Sequence, residues 1–104
     1  MSLTKLQKSV DKWVNQYTIG YWKPLEILAR LTEEVGELAR ELNHRFGPKK
    51  KKSCEKEQEI GDEIADVIYT VICLANSLGI NLDESFERMM KKLNTRDRKR
   101  FTKK

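Results

Sequence analysis

The sequence predicts an all-α protein, a bundle of four helices. In four separate segments apolar residues recur every three or four positions, which is the spacing of one helix face. The two prolines, Pro24 and Pro48, fall at the boundaries of these segments and interrupt none of them. A chain of 104 residues has room for one domain with a core of limited depth. We therefore expect a single helical domain over residues 1–104.

The first two helices are predicted from their periodicity and their end signals. Leu3 to Tyr17 carries one apolar stripe, after which the pattern breaks. Pro24 suits the first turn of the next helix, because the N–H group that proline lacks would have no partner inside the helix there. That helix should run from Pro24 to about Phe46, where a Gly-Pro pair follows and ends it.

The last two helices are predicted by the same rules. The third is expected from about Glu57 to Leu78, with Gly79 as the residue that ends it. Asn81 can cap a fourth helix, since its side chain can accept a hydrogen bond from a backbone N–H of the first turn. This short helix should reach about Asn94.

Positive charge is concentrated in two segments outside the central helices. The net charge is +5, and lysine and arginine crowd into a basic loop at residues 47–56 and a basic tail at residues 96–104. The helical middle of the chain is acidic. This uneven distribution differs from a uniformly basic surface and argues against a nucleic-acid partner.

The cysteine content and hydropathy predict a cytoplasmic protein. Cys54 and Cys73 lack the spacing of metal ligands, and two cysteines cannot build a disulfide framework. We interpret both as free thiols in a reducing compartment. No apolar run is long enough to span a bilayer and no signal peptide opens the chain, so we expect no membrane partner.

Two acidic segments, residues 33–37 and 59–66, carry the chemistry of the chain. Each places carboxylates three or four residues apart, on one face of a helix, where like charges repel. Helical angles put Glu34 and Glu63 at the seam between apolar and polar faces, with Glu37 and Asp66 beside them. If the two seams meet, their oxygen ligands suit Mg²⁺ or Mn²⁺.

A solvated acidic face paired with basic residues is the ordinary alternative. We do not expect such pairing here, because no basic residue lies four positions after Glu33, Glu34 or Glu37. Gly36 and Gly61 lie within the acidic segments and are expected to allow the helices to approach closely. Small side chains follow on the third helix and should leave space for a ligand beside the metal: Thr70, Cys73 and Ser77.

The chain resembles the MazG-like nucleotide pyrophosphohydrolases. The resemblance lies in Leu31–Leu38, Glu63–Ile68 and Leu74–Ile80, and it extends over roughly residues 25–96. It implies an all-α, oligomeric, magnesium-dependent enzyme. Such enzymes cleave a nucleoside triphosphate between its α and β phosphates, giving a monophosphate and pyrophosphate.

The resemblance also implies roles for particular residues. The family's metal ligands correspond to Glu34, Glu37, Glu63 and Asp66, and the family's phosphate-binding positions correspond to Lys92 and Arg96. Glu34 or Glu37 would act as the catalytic base that accepts the proton of the attacking water. Trp22 is our candidate for stacking on the base of the substrate. Glu59 and Asp62 repeat the ligand spacing one turn earlier, so a register one turn away stays open.

The apolar surface of the third helix predicts a homo-oligomer. Its apolar arc is wider than a peripheral helix of a monomeric bundle needs, and a short chain gains stability by sharing a core. We expect a dimer or tetramer that forms through the central helices. The alternative function is a small basic helical protein that binds nucleic acid or assembles without catalysis. A catalytically idle relative that only binds nucleotides is a third possibility.

Overall fold

The computed structural model describes residues 2–48 and 59–104 and contains four α-helices in those ranges. The helices are α1 (Leu3–Val14), α2 (Pro24–Phe46), α3 (Ile60–Ser77) and α4 (Leu82–Thr95). No strand occurs among these residues. The all-α prediction is therefore confirmed.

Helix α1 begins as expected but ends earlier than its apolar stripe suggested. The Ser2 side chain caps it by accepting a hydrogen bond from the Lys5 N–H at 3.1 Å. After Val14 the N–H groups of Gln16 and Tyr17 bond to carbonyls three residues back, at 3.3 and 3.2 Å. This tighter pattern turns the chain out of the helix. The predicted extension to Tyr17 is therefore wrong by three residues.

Helix α2 has the predicted bounds. Pro24 occupies its first turn, and the Glu26 side chain accepts a hydrogen bond from the Lys23 N–H at 2.9 Å. At the other end the Gly47 N–H bonds to the Asn43 carbonyl at 3.0 Å. Most of the predicted basic loop, from residue 49 onward, lies outside the described residues, as does Cys54.

Helices α3 and α4 meet at a sharp turn. Helix α3 begins at Ile60, and the predicted start near Glu57 lies outside the described residues. Gly79 adopts the left-handed conformation with φ of 68°, which favours glycine, and turns the chain after α3. The Asn81 side chain then accepts a hydrogen bond from the Glu84 N–H at 3.1 Å, so the predicted cap is confirmed.

Helices α2 and α3 form the main packing pair, and α1 packs against α3 and α4. The buried apolar core of the described chain is small: Val14, Ile27, Ile72 and Ala75. Many large apolar side chains on α2, α3 and α4 stay exposed, among them Val35, Ile68 and Phe86. A single chain therefore leaves much of its apolar surface uncovered.

Neither glycine of the acidic segments is needed for helix packing in the described part of the chain. A Cβ atom built at Gly36 or Gly61 would meet nothing within 4 Å. The expectation that these glycines allow close approach of α2 and α3 is therefore wrong.

A network of polar side chains, which we call the polar joint, ties α1 to the turn between α3 and α4. The buried Gln7 amide donates to Asn76 Oδ1 at 2.9 Å and to the Ile80 carbonyl at 2.7 Å. Its oxygen accepts from the Leu82 N–H at 2.9 Å. Asp83 completes the joint by accepting hydrogen bonds from the first N–H groups of α1 at 3.1 Å.

Length and hydropathy decide whether a helix could cross a membrane. No single described helix is both long enough and apolar enough to cross a membrane. Helices α3 and α4 meet the length and composition requirements only as a pair, which is bent by 107°.

Candidate functional site

Three carboxylates from two helices converge where the start of α3 lies against the middle of α2. Glu34, Glu37 and Glu63, which we call the acidic cluster, each place an oxygen atom within 4.8 Å of the others. Glu34 and Glu63 are buried, with exposed fractions of 3% and 8%, whereas Glu37 is exposed. Three carboxylates this close repel one another strongly unless a cation lies among them.

Two oxygens of the acidic cluster are buried without a partner. Glu34 Oε2 and Glu63 Oε2 accept no hydrogen bond from any part of the chain that the structure describes. A buried acceptor in that condition carries a desolvation cost of about 1–3 kcal/mol, more when it is charged. Oxygen-only donors suit hard divalent cations such as Mg²⁺. The donor set therefore fits a divalent metal.

The surroundings of the two buried glutamates shift their pKa values upward. Burial is the largest cause at Glu34, and the positive charge of Arg30 opposes it. Burial is also the largest cause at Glu63, where Glu37 and Asp66 add their negative charge. The charges that shift the pKa of Glu63 all belong to carboxylates, so Glu63 lacks the compensation that Arg30 gives to Glu34.

Arg30 is a neighbour of the acidic cluster that the sequence reasoning missed. Its Nη2 atom lies 2.7 Å from Glu34 Oε1, and its Nη1 atom lies 3.6 Å from Glu33 Oε2. The expectation that local pairing is absent is therefore wrong, because the partner precedes Glu34 by four residues instead of following it. The signal was present in the sequence as an i, i+4 pair.

A cavity of about 460 Å³ adjoins the acidic cluster. Polar groups from α2 and α3 line one part of it, namely Arg30, Glu34 and Asp66, and the rest of the lining is formed by Val14, Gly20, Tyr21, Trp22, Ile27, Tyr69, Thr70 and Cys73. A space of this size, largely apolar with a few charged groups, is typical of small-molecule sites. Of the small residues predicted beside the metal, Thr70 and Cys73 line it and Ser77 does not.

The segment between α1 and α2 forms part of the cavity wall and is anchored by Tyr21. The Tyr21 hydroxyl donates to Asp11 Oδ1 at 2.7 Å and accepts from Asn76 Nδ2 at 2.9 Å. Burial, with the hydrogen bond to Asp11, raises the pKa of Tyr21 to about 12. Gly20 supplies a left-handed turn with φ of 62°. Trp22, the predicted stacking residue, follows this anchor and stays half exposed on the cavity wall.

The other predicted site residues lie in three different places. Asp66 lines the cavity beside Glu34 but is not one of the three clustered residues. Glu59 immediately precedes α3, and Asp62 lies in its first turn; both are exposed and outside the acidic cluster. Lys92 and Arg96 lie at the end of α4, and neither lines the cavity.

The chain is similar to known proteins in sequence and in fold. The family profile of the MazG nucleotide pyrophosphohydrolase domain matches residues 23–101. The protein YpjD of Bacillus subtilis (strain 168) is 50% identical over 103 residues, which cover 99% of this chain and 93% of that protein.

Two crystal structures are also similar. One is of YpjD from Bacillus subtilis, with a TM-score of 0.82 and 48% identity over 91% of this chain and 97% of that one. The other is of the Bacillus-conserved MazG protein, a nucleotide pyrophosphohydrolase, with a TM-score of 0.79 and 44% identity over 92% of this chain and 93% of that one. The chain therefore belongs to the MazG nucleotide pyrophosphohydrolase family.

Proposed function

We propose that the protein is a magnesium-dependent nucleoside triphosphate pyrophosphohydrolase that converts a (deoxy)nucleoside triphosphate to the monophosphate and pyrophosphate. The observation that supports this most is the pair of buried, unpartnered oxygens on Glu34 and Glu63 beside a cavity of about 460 Å³. A site that binds only apolar molecules would have no use for such groups. Family membership supports the same reaction class.

We propose that four carboxylates hold the metal: Glu34, Glu37, Glu63 and Asp66. The acidic cluster supplies three of them, and Asp66 supplies the fourth from the adjoining cavity wall. When bound, Mg²⁺, or Mn²⁺ in its place, would neutralise phosphate oxygens and lower the pKa of a bound water. Metal binding would cost the two buried carboxylates little conformational entropy, because the helices already hold them close together.

The reaction forms a bond between the oxygen of water and the α-phosphorus. The bond between that phosphorus and the oxygen bridging to the β-phosphate breaks, and pyrophosphate leaves with both electrons of the bond. Glu37 or Glu34 accepts the proton that the water loses. Glu37 is the more exposed of the two, whereas Glu34 already shares its charge with Arg30. Trp22 stacks on the base from the cavity wall, where half of its surface is available.

We propose further that the working form is a homo-oligomer, a dimer or tetramer, in the cytoplasm. The described helices bury only four apolar side chains and leave large ones exposed on α2, α3 and α4. A second copy would cover these surfaces. It would also bring Lys92 and Arg96 of α4 to the phosphates, a position they do not reach within one described chain. The free thiol of Cys73 suits a reducing compartment.

The decisive experiment measures pyrophosphate release from a panel of nucleoside triphosphates, with Mg²⁺ and with EDTA. We expect metal-dependent release by the parent protein and a loss of at least about a hundredfold in Glu63→Gln. Glu59→Gln is the matched control, because it removes the same charge one turn earlier on α3, outside the acidic cluster. Equal losses in both variants, or release that ignores metal, would contradict the proposal.

A further inference from the structure

Arg30 stands between the acidic cluster and the cavity. Its guanidinium contacts Glu34 at 2.7 Å on one side, while its side chain forms part of the cavity lining and is half exposed. Among the described residues that line this cavity, it is the only basic one, beside the two acids Glu34 and Asp66. Within a single described chain, Arg30 therefore provides the positive charge that a triphosphate would meet in this cavity.

The carboxylate of Glu34 divides its two oxygens between different environments. Oε1 accepts from Arg30, and Oε2 is buried and accepts from no described residue. Arg30 therefore compensates the charge of Glu34 without filling the free side of that carboxylate. A guanidinium carries five N–H donors in a planar fork, so two contacts to carboxylates leave donors for a further anion.

We propose that Arg30 is a phosphate-binding residue of this site, held by Glu34 in the metal-free protein and released toward the triphosphate when a cation takes over Glu34. This rests on the proposed function. A cation and Arg30 compete for the negative charge of one carboxylate, so each weakens the hold of the other. Phosphate oxygens can then serve the guanidinium as a bidentate partner.

The proposed role and a purely structural role of Arg30 predict opposite changes in metal affinity when Arg30 is removed. If Arg30 only fixed the orientation of Glu34, its removal would disorder a ligand and weaken metal binding. If Arg30 competes with the metal, its removal takes away a nearby positive charge and strengthens metal binding. If Arg30 contacts the phosphates, its removal should also weaken the binding of a phosphate chain. The two ligands therefore respond in opposite directions only under the proposal.

The test titrates two probes into Arg30→Met, Arg30→Lys and the parent protein by calorimetry. The first probe is Mn²⁺ alone, and the second is inorganic tripolyphosphate at saturating Mg²⁺, which carries no base or sugar. We expect Arg30→Met to bind Mn²⁺ a few fold more tightly and tripolyphosphate at least about tenfold more weakly. Arg30→Lys should recover part of the loss, because it restores the charge without the fork.

Arg88→Met is the matched control, since Arg88 is an exposed arginine on α4 whose side chain bonds to Ser85 at 3.2 Å. It should leave both titrations unchanged. Parent-like tripolyphosphate binding by Arg30→Met, or weaker Mn²⁺ binding by it, would overturn the proposal. The proposed function has its own test, since it fails if the parent protein releases no pyrophosphate. In that case, tighter Mn²⁺ binding with weaker tripolyphosphate binding in Arg30→Met would still support a phosphate-binding role for Arg30.

Discussion

Buried polar groups have hydrogen-bond partners at one end of α3 and lack them, among the described residues, at the other. At its C-terminal end, in the polar joint, the Gln7 amide makes three hydrogen bonds of 2.7–2.9 Å. At its N-terminal end, Glu34 and Glu63 each bury an oxygen that has no partner among the described residues. The first arrangement stabilises the fold, and the second leaves binding capacity for a ligand at some cost in stability.

The same chemical group shows the contrast most directly. Hydrogen bonds from Thr4, with a further one from the Leu3 N–H, hold the pKa of the Asp83 carboxyl below its ordinary value. Burial raises the pKa of the carboxyls of Glu34 and Glu63 instead. A carboxylate is favourable where N–H and O–H donors meet it and unfavourable where it meets other carboxylates.

The largest expected effect is on activity at the acidic end. Glu34→Gln and Glu63→Gln should each lower metal-dependent turnover by at least about a hundredfold, because each removes the charge of a proposed metal ligand from a buried position. Asp62→Asn removes a charge from the exposed first turn of α3 and should stay near the parent level. Steady-state pyrophosphate release measures all three. If Asp62→Asn is the inactive variant, the ligand register is the one a turn earlier.

The next effect is on stability at the polar joint. Gln7→Leu keeps the bulk of the side chain but leaves the Leu82 N–H and the Ile80 carbonyl without their partner. We expect the free energy of unfolding to fall by about 2–4 kcal/mol, as measured in urea. Gln16→Leu is the control, since Gln16 is exposed and its side-chain amide donates to the Trp13 carbonyl at 3.4 Å, a long hydrogen bond. A Gln7→Leu variant as stable as that control would remove the basis of the comparison.

A smaller effect should have the opposite sign at the acidic end. In EDTA, Glu63→Gln should melt at a higher temperature than the parent, because it removes a buried charge that lies near the carboxylates of Glu37 and Asp66. Millimolar Mg²⁺ should raise the melting temperature of the parent more than that of the variant, since an ion that binds only the folded site stabilises it. A differential scanning calorimeter measures both. If Mg²⁺ leaves the melting temperature of the parent unchanged, and Glu63→Gln melts at a lower temperature than the parent in EDTA, these carboxylates have a structural role instead.

The smallest effect concerns pH. The folded pKa of Glu63 lies above its ordinary 4.5, so the folded metal-free protein binds more protons than the unfolded chain between those two values. The contribution of Glu63 to stability should therefore grow as the pH falls through that folded pKa toward 4.5. Glu63→Gln should flatten that rise in urea unfolding with EDTA. A parent whose stability falls over this range would contradict the raised pKa.

The acid limit of the same profile belongs to the polar joint. The folded pKa of Asp83 lies below its ordinary 3.8, so its contribution is complete above that value and is lost as the pH falls through the folded pKa. Asp83→Asn should remove this last loss and leave the rise that Glu63 causes. The two variants would then assign the two limbs of the profile to opposite ends of α3.

Local signals in the sequence predicted the helices well. Proline at the first turn and Gly-Pro after Phe46 fixed the bounds of α2, and Asn81 caps α4 as expected. The end of α1 was less predictable, because Tyr17 continues the apolar spacing although the backbone has already turned. Periodicity reports which face is apolar and not where the hydrogen-bond ladder stops.

The site was predictable in part for a related reason. Carboxylate spacing placed Glu34 and Glu37 on one face of α2, and the packing of α3 against α2 adds Glu63 to them. Arg30 was missed because the sequence reasoning looked for a basic partner only at positions that follow each glutamate. The polar joint gave no local signal in the sequence, because Gln7 and Asn76 lie 69 positions apart. A pairing of that length is decided by how the helices pack, and spacing along one helix does not contain it.

The long reach of Gln7 also bears on how the chain is made. Its amide oxygen waits for the Leu82 N–H, which is 75 residues further along the chain. During synthesis the first helix leaves the ribosome long before that partner exists, and at about 5–20 residues per second the delay lasts several seconds. Until then the Gln7 amide lacks the Leu82 N–H group that it meets in the folded chain. Helix α1 is therefore expected to reach its native place only after α3 and the start of α4 have been made, although it precedes both in the chain.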